Sequence, residues 1–316
     1  MKRINATAGV LNDKRGFVML DSLKREIDSL SPKTETGSSR RGFIQGSVAA
    51  GFAAAVVPTG PLLAQVITTD TVGLTAGMVE IPAKDRKIPA YRAMPTGKTR
   101  LGTVIVVHEI FAVHEYIKDT CRRFAKLGYM AIAPDFFVRQ GDVSQYKNIA
   151  DIFANVVSRV SDTQVLDDIE ATLNWAAANG GDAAKMGITG FCWGGRIVWM
   201  SSAATQKMKA GVAWYGRLMT TVNDATPTHP HNIADKLQFP VLGLYGGKDD
   251  GIPNDTVTEM ETRLSFGSKA SQESKIVVYP DAPHAFHADY RPSYRKDAAE
   301  DGFQRAAAWF KQYGVA

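Results

Sequence analysis

One cysteine of this 316-residue chain stands in a pattern that could make its sulfur a nucleophile. Cys192 is the centre of a Gly-Phe-Cys-Trp-Gly run, Gly190–Gly194, between an apolar stretch at 185–189 and a helix-like stretch at 196–201. A strand, a glycine-bracketed turn and a helix in this order form a nucleophile elbow. The helix N-terminus favours a thiolate there. The alternative is an inert core thiol at a tight turn, and the rest of the chain decides between the two.

Candidate partners for this sulfur follow other apolar runs of the chain. His108 and Glu109 come directly after the β-branched run at 101–107, and Asp249 and His284 each follow a later run. Because sites in parallel sheets form at the carboxyl ends of strands, these residues are expected at one edge of the sheet. A cysteine, an aspartate and a histidine in this chain order match the triad of an α/β-hydrolase.

Some of these roles have local rivals. Asp250 competes with Asp249, and its ordinary role would be that of a solvated turn carboxylate. His287 competes with His284 as the histidine of the same loop. Glu109 follows a strand that is expected to be buried, where an unpaired carboxylate is expensive. We therefore expect Glu109 to have a partner, either as part of the catalytic machinery or as half of a structural ion pair.

The order of the predicted elements indicates an α/β fold. Apolar strand-like runs alternate with amphipathic helical stretches from residue 101 to the C-terminus, which is typical of a mostly parallel, doubly wound sheet. The stretches 75–83 and 87–94 predict an antiparallel entry hairpin at the edge of that sheet. Residues 151–160 are predicted to be helical, and the sequence Ser161-Asp-Thr-Gln164 predicts a capping box that begins the next helix. We expect residues 65–316 to form a single domain, since about 250 residues can bury one sizeable core.

The first 64 residues are interpreted as an export leader. Ser39-Arg40-Arg41-Gly42-Phe43-Ile44 resembles the twin-arginine motif, and an apolar Ala/Gly-rich stretch follows at 46–64. Two prolines interrupt that stretch, which argues against a stable membrane span. The order of motif and apolar stretch favours export to the periplasm, and the alternative is a disordered lead-in. Recognition by the export machinery is therefore expected.

The charge is concentrated in the leader, so it says little about partners of the domain. Residues 1–64 carry 9 Lys/Arg against 5 Asp/Glu, and residues 65–316 carry 28 against 27. A nearly balanced domain gives no indication of nucleic-acid binding. The second cysteine, Cys121, lies on the apolar face of a predicted helix and is interpreted as a core thiol. A disulfide between Cys121 and Cys192 is not expected.

From about residue 72 to the end, the chain resembles the dienelactone hydrolase family. The resemblance depends on five stretches: His108–Phe111, Pro134–Phe137 leading to Arg139, the Gly190–Gly195 elbow, Gly247–Asp249 and Pro283–Phe286. It implies Cys192 as nucleophile, His284 as base and Asp249 as the carboxylate that orients the base. It also implies a carboxylate beside the nucleophile at Glu109. The oxyanion hole would consist of the backbone N–H groups of Ile110 and Trp193.

The resemblance extends to substrate binding, with one departure. Arg139 matches a position that the family uses for anionic substrates, and the alternative is an ordinary surface cation. Family members often have a second arginine four residues beyond the catalytic histidine, where this chain has Ala288. Arg291 could replace it at a different spacing. The following aromatic residues could line the pocket or belong to the core: Phe111, Phe137 and Phe286.

These features predict an exported hydrolase that cleaves a carboxylic ester or lactone, similar to a dienelactone, through a thioester acyl-enzyme. No metal or other cofactor is expected, and the oligomeric state is expected to be a monomer or a small homo-oligomer. A broad-specificity carboxylesterase is one alternative. A catalytically idle protein that senses or binds through its thiol is the other.

Overall fold

A computed structural model of the chain describes Val56, residues 65–219 and residues 222–316. Nearly all of the predicted export leader, residues 1–64, lies outside the described residues. Within the described part of the chain, no helix is both long enough and apolar enough to cross a membrane.

The centre of the fold is one eight-stranded sheet in the order β1-β2-β4-β3-β5-β6-β7-β8. Strands β1 and β2 pair antiparallel, β2 pairs antiparallel with β4, and the remaining pairs are parallel. The strands are β1 Leu74–Pro82, β2 Lys87–Pro95, β3 Leu101–Val107, β4 Met130–Pro134, β5 Gly181–Phe191, β6 Ala210–Trp214, β7 Val241–Gly246 and β8 Lys275–Tyr279. The predicted α/β fold with a mostly parallel sheet and an antiparallel entry hairpin is therefore confirmed.

Eight α-helices are described between and after these strands. They are α1 Glu115–Lys126, α2 Ile149–Asn155, α3 Asp162–Ala178, α4 Trp193–Ala204, α5 Pro230–Ile233, α6 Asn254–Ser265, α7 Lys269–Glu273 and α8 Lys296–Gln312. Short 3₁₀ turns cover Val143–Gln145, Val157–Arg159 and Ala234–Lys236. The stretch 151–160, which the sequence indicated as one helix, is instead divided between the end of α2 and the second of these turns.

The helices cover both faces of the sheet. Neighbouring residues of a strand point to opposite faces. In β5 and β6, Gly187 pairs with Ala210 and Ile188 pairs with Gly211. A Cβ atom on Gly187 would contact Phe310 of α8, whereas a Cβ atom on Gly211 would contact Val198 of α4. Helices α8 and α4 therefore lie on opposite faces.

The central strands have the continuous apolar sequence of strands that are covered on both faces. All five residues of β4 and all five of β6 are buried, and so are six of the seven residues of β3. The edge strand β1 instead has exposed positions between partly or fully buried ones. This difference explains why the run at 101–107 is mostly apolar and rich in β-branched residues, whereas the 75–83 stretch is mixed.

Helix α3 begins where the sequence indicated. The Ser161 hydroxyl accepts a hydrogen bond from the backbone N–H of Gln164 at 3.1 Å, which is the N-cap half of the expected capping box. The Gln164 side chain does not return to the cap. It donates to the carbonyl of Phe136 at 3.0 Å and so ties α3 to the loop after β4.

Candidate active site

Cys192 lies at a sharp turn between β5 and α4. Its backbone has φ 55° and ψ −113°, a conformation that residues with a side chain rarely adopt. The residue is the N-cap of α4, so its side chain lies at the positive end of the helix dipole. The side chain is buried, with 5% of its surface exposed. The backbone at Cys192 therefore has the geometry of the predicted elbow.

The flanking glycines are required because backbone approaches backbone at this turn. A Cβ atom on Gly190 would lie 2.3 Å from the carbonyl oxygen of Gly194. A Cβ atom on Gly194 would lie 2.4 Å from the carbonyl oxygen of Val107 and 2.7 Å from that of His108. Any side chain at either position would clash with main-chain atoms. The start of α4 therefore packs directly on the end of β3.

His284 and Asp249 form a buried pair at the same edge of the sheet. Nδ1 of His284 lies 2.7 Å from Oδ2 of Asp249, although the two residues are 35 positions apart in sequence. Oδ1 of Asp249 accepts hydrogen bonds from the backbone N–H groups of Gly251 at 2.9 Å and Ile252 at 3.2 Å. These three bonds fix the carboxylate, which in turn fixes the orientation of the imidazole.

Cys192 and Asp249 together determine the charge of His284. Burial by itself would lower the pKa of His284, but the Asp249 carboxylate and then the Cys192 side chain outweigh burial and raise the pKa to about 10. Nε2 of His284 has no hydrogen-bond partner within the described residues, although the Cys192 side chain is close enough to act on the pKa of His284. A catalytic hydrogen bond is often long or poorly aligned in the absence of substrate.

The local rivals occupy different environments. Asp250 is exposed, whereas Asp249 is buried against His284. Nδ1 of His287 lies 2.6 Å from the hydroxyl of Tyr116, and burial lowers the pKa of His287 well below its usual range. His287 also stacks on Phe191. His287 therefore belongs to the aromatic core beneath the site.

Glu109 is fully buried and has the partners that its burial requires. The hydroxyl of Tyr290 donates to Oε2 of Glu109 at 2.7 Å, and Nε2 of His114 lies 3.8 Å from the same oxygen. Burial alone would raise the pKa of Glu109, but contact with His114 and the positive charge of Arg291 outweigh it and lower the pKa. Oε1 has no hydrogen-bond partner within the described part of the chain.

Sequence reasoning missed Tyr290 and His114 as partners of Glu109. Tyr290 is 181 positions away from Glu109, and no spacing in the sequence connects the two. In the sequence, nothing distinguishes His114 from any other polar residue at the start of a helix, and in the structure it is the N-cap of α1. The phenols of Tyr116 and Tyr215 are buried as well, and burial raises the pKa of each well above its usual value.

Arg139 is held by carboxylates of the protein itself. Its guanidinium donates to both oxygens of Asp85, at 2.9 and 2.6 Å, and to both oxygens of Asp168, at 2.7 and 2.9 Å. These contacts join the β1–β2 connection to α3. A cleft of about 1040 Å³ lies beside them; Arg139 lines it, but neither Cys192 nor His284 does. The structure does not bring Arg139 into the contacts of the Cys192 site.

Ala288 is fully buried, and Arg291 is the arginine whose positive charge acts on Glu109. Arg291 has 6% of its surface exposed, and its guanidinium carbon lies 6.0 Å from the ring centroid of Phe111.

Phe137 packs against Trp193 at 4.8 Å between ring centroids. All three predicted pocket phenylalanines are nearly or fully buried: Phe111, Phe137 and Phe286.

The backbone groups proposed for an oxyanion hole lie on adjacent elements. Ile110 comes three residues after β3, and Trp193 is the first residue of α4. The first N–H groups of a helix have no partner within the helix, so the Trp193 N–H is available to a ligand on structural grounds. The packing of Gly194 on Val107 and His108 holds the two segments together.

The parallel sheet, the cysteine elbow and the histidine–aspartate pair at the carboxyl edge define an α/β-hydrolase. The chain belongs to the dienelactone hydrolase family, whose model matches residues 88–314. The expectation of a dienelactone hydrolase-like carboxylic ester hydrolase is thereby confirmed.

Individual relatives agree with this assignment. A protein of Methylorubrum extorquens, provisionally named a carboxymethylenebutenolidase, is 51% identical over 292 residues, which cover 92% of this chain and 99% of the relative. An Escherichia coli protein with the same provisional name is 46% identical and covers 84% of this chain and 96% of its own length. The crystal structure of a provisionally assigned dienelactone hydrolase from Klebsiella pneumoniae has a TM-score of 0.74 and 51% identity, covering 76% of this chain and 99% of the other.

Proposed function

We propose that the protein hydrolyses a carboxylic ester or lactone with Cys192 as nucleophile, His284 as base and Asp249 as the orienting carboxylate. The observation that supports this proposal most directly is the buried hydrogen bond of 2.7 Å between His284 and Asp249, on an imidazole whose pKa also responds to the Cys192 sulfur. A core thiol at a tight turn would have no reason to face such a pair.

In the proposed reaction, the Cys192 thiolate attacks the carbonyl carbon of the substrate and forms a tetrahedral adduct. The C–O bond to the leaving group then breaks, and the imidazolium of His284 gives its proton to the departing oxygen. The product of this step is a thioester on Cys192. A water molecule, deprotonated by His284, attacks the thioester and releases the acid and the free thiol.

The proposed oxyanion hole consists of the backbone N–H groups of Ile110 and Trp193. Each such donor typically contributes about 3 kcal/mol to the stability of the transition state. A thiolate leaves a tetrahedral adduct more readily than an alkoxide does, so turnover favours substrates with a good leaving group. Enol lactones and aryl esters satisfy this requirement, and simple alkyl esters do not.

Arg291 is proposed to bind a carboxylate of the substrate in place of the arginine that Ala288 replaces. Its buried position over Phe111, and its charge acting on Glu109, support this role. A substrate carboxylate beside Arg291 would be recognised by charge-assisted hydrogen bonds. A carboxylated enol lactone, such as a dienelactone, fits both this requirement and the leaving-group requirement.

The test compares the wild-type protein with Cys192→Ala and Cys121→Ala on phenyl acetate, ethyl acetate and a carboxylated enol lactone. We expect Cys192→Ala to lose more than about 1000-fold in kcat/KM, and the buried control Cys121→Ala to keep its activity. The wild type should cleave the aryl ester much faster than the alkyl ester. Equal activity of Cys192→Ala and wild type would overturn the proposal. A thiol sensor, in contrast, would show no turnover to lose.

A further inference from the structure

The ring of His108 is connected to both segments that provide the proposed oxyanion donors. His108 follows β3 and is fully buried. Its Nδ1 lies 2.6 Å from the carbonyl oxygen of Glu109, and its Nε2 lies 3.1 Å from the backbone nitrogen of Phe136. Its ring also stacks on that of Trp193, with 5.5 Å between centroids and 17° between planes. None of the catalytic roles proposed above uses this residue.

These two hydrogen bonds determine the tautomer of His108. A backbone N–H can only donate, so Nε2 must accept the bond from Phe136 and carries no proton. A carbonyl oxygen can only accept, so Nδ1 carries the proton and donates a hydrogen bond to the backbone carbonyl of Glu109. Burial lowers the pKa of His108, which keeps this single-proton form across neutral pH. The ring is therefore a neutral donor aimed at one carbonyl.

The carbonyl of Glu109 and the N–H of Ile110 belong to the same peptide group. A trans peptide is planar, so the two point in opposite directions. A hydrogen bond that fixes the carbonyl also fixes the N–H, and it polarises the peptide so that the N–H becomes a better donor. The stack on the Trp193 ring places the same imidazole beside the residue that supplies the second donor.

We propose that His108 is a positioning residue: its Nδ1–H orients and polarises the Glu109–Ile110 peptide, so that the Ile110 N–H is held ready for the oxyanion of the tetrahedral adduct. This inference depends on the proposed function, because it presumes acylation of Cys192. His108 touches neither the substrate nor the sulfur in this role. It acts through the peptide group that follows it.

The two ring nitrogens can be tested separately with a matched pair of substitutions. In His108→Asn the side-chain amide nitrogen can occupy the place of Nδ1 and keep the bond to the Glu109 carbonyl. In His108→Gln the longer side chain can place its oxygen near Nε2 and keep the bond from Phe136, while the donor to Glu109 is lost. Both variants lose the aromatic ring and one hydrogen bond. Asn is smaller than Gln and leaves the larger cavity, so a general loss of packing should affect His108→Asn at least as much as His108→Gln.

The readouts are the burst rate of acylation by 4-nitrophenyl acetate and the rate of alkylation by iodoacetamide. Acylation creates an oxyanion. Alkylation displaces iodide from a saturated carbon and creates none. For His108→Gln we expect acylation to fall about 10- to 100-fold, while alkylation stays within about threefold of wild type because the thiolate is intact. For His108→Asn we expect acylation within about fivefold of wild type.

Each result decides for or against the role of His108. Equal acylation rates in His108→Gln and wild type would overturn it, and so would equal losses of acylation and alkylation in both variants. If His108→Gln does not fold, His108→Phe provides the comparison, since it keeps the ring and removes both hydrogen bonds. Loss of turnover in Cys192→Ala with full acylation in His108→Gln would leave the proposed function standing. Full turnover in Cys192→Ala would overturn both.

Discussion

At the scale of single residues, the charge state of His284 determines the pH range in which the proposed site can work. The imidazolium must give a proton to the leaving group, and a partner carboxylate favours that protonated form. The structure provides the carboxylate in Asp249, which is itself held by the backbone N–H groups of Gly251 and Ile252. The pKa of His284 is accordingly raised above its ordinary value.

This shift predicts the alkaline limit of activity. Since the pKa of His284 is raised from 6.5 to about 10, the imidazolium is retained above neutral pH and is lost as the pH rises through about 10. We expect kcat/KM for phenyl acetate to decline only in that range in the wild type. Asp249→Asn removes the main group that raises the pKa, so its decline should begin at lower pH. The measurement is a pH–rate profile between pH 6 and pH 11.

Asp250→Asn is the matched control, because Asp250 is the exposed neighbour of Asp249. Its profile should coincide with that of the wild type. The prediction is wrong if the alkaline limits of wild type and Asp249→Asn coincide. Because the pKa of His284 is higher in the folded protein than its ordinary value of 6.5, protonation of His284 stabilises the folded state. This stabilisation is complete below pH 6.5 and is lost progressively as the pH rises through about 10.

At the scale of elements, the elbow exists because α4 packs its first turn directly on the end of β3. The contact is main chain against main chain, with the Cβ position of Gly194 only 2.4 Å from the Val107 carbonyl oxygen. No side chain fits at this junction. The same junction positions Cys192 next to the segment that contains Ile110.

Gly194→Ala should therefore destabilise the protein severely. The added methyl group must push apart two backbone segments, at a cost of about 3 kcal/mol or more. Gly97→Ala is the control: Gly97 has φ 70° but open space around its Cβ position, so strain alone should cost about 1 kcal/mol. Urea denaturation gives both free energies of unfolding. Similar losses in the two variants would contradict the proposed packing constraint.

The two arginines of the predicted anion site also belong to different elements and should behave differently. Arg139 joins the β1–β2 connection to α3 through Asp85 and Asp168, and Asp168 is buried. Arg139→Gln should lower the free energy of unfolding by about 1–3 kcal/mol, because Asp168 loses its cation. Its KM for a carboxylated lactone should stay near that of the wild type. Arg291→Gln should raise that KM about tenfold or more.

Denaturation and steady-state kinetics on both variants test this assignment, with neutral phenyl acetate as the control substrate. Arg291→Gln should leave the KM for the neutral ester almost unchanged. An increase in KM for the carboxylated lactone in Arg139→Gln alone would restore Arg139 to the role that the family resemblance implied. The same result would contradict the proposed role of Arg291 in binding the substrate carboxylate.

At the scale of the whole molecule, the leader and the domain are proposed to have separate tasks. Residues 1–64, the proposed leader, carry most of the excess positive charge and the Arg40-Arg41 pair. Export of the folded domain through a twin-arginine route is proposed from that pair and the apolar stretch after it. Arg40→Lys with Arg41→Lys keeps the charge and should retain the protein in the cytosol.

Cell fractionation with immunodetection measures this outcome. Lys14→Arg with Arg15→Lys conserves charge outside the motif and should export like the wild type. Export of the double-lysine variant at the wild-type level would contradict a twin-arginine leader. The purified variant should have the kcat/KM of the wild type, since its domain is unchanged.

Much of the fold was predictable because it depends on local pattern. The β-branched run at 101–107 predicted a buried strand, and Ser161 indicated the start of a helix; both are observed. The Gly190–Gly194 run likewise specified an elbow, since only glycine fits where backbone meets backbone. These signals lie within a few residues of each other. They require no knowledge of distant contacts.

The sequence by itself therefore determined the class of fold, the elbow and the candidates Cys192, Asp249 and His284. Only the tertiary structure decided the partners of Glu109, the engagement of Arg139 by two aspartates and the position of Arg291. The physical reason is distance along the chain. Tyr290 reaches Glu109 across 181 positions, and such a contact depends on how the whole sheet and its loops are packed.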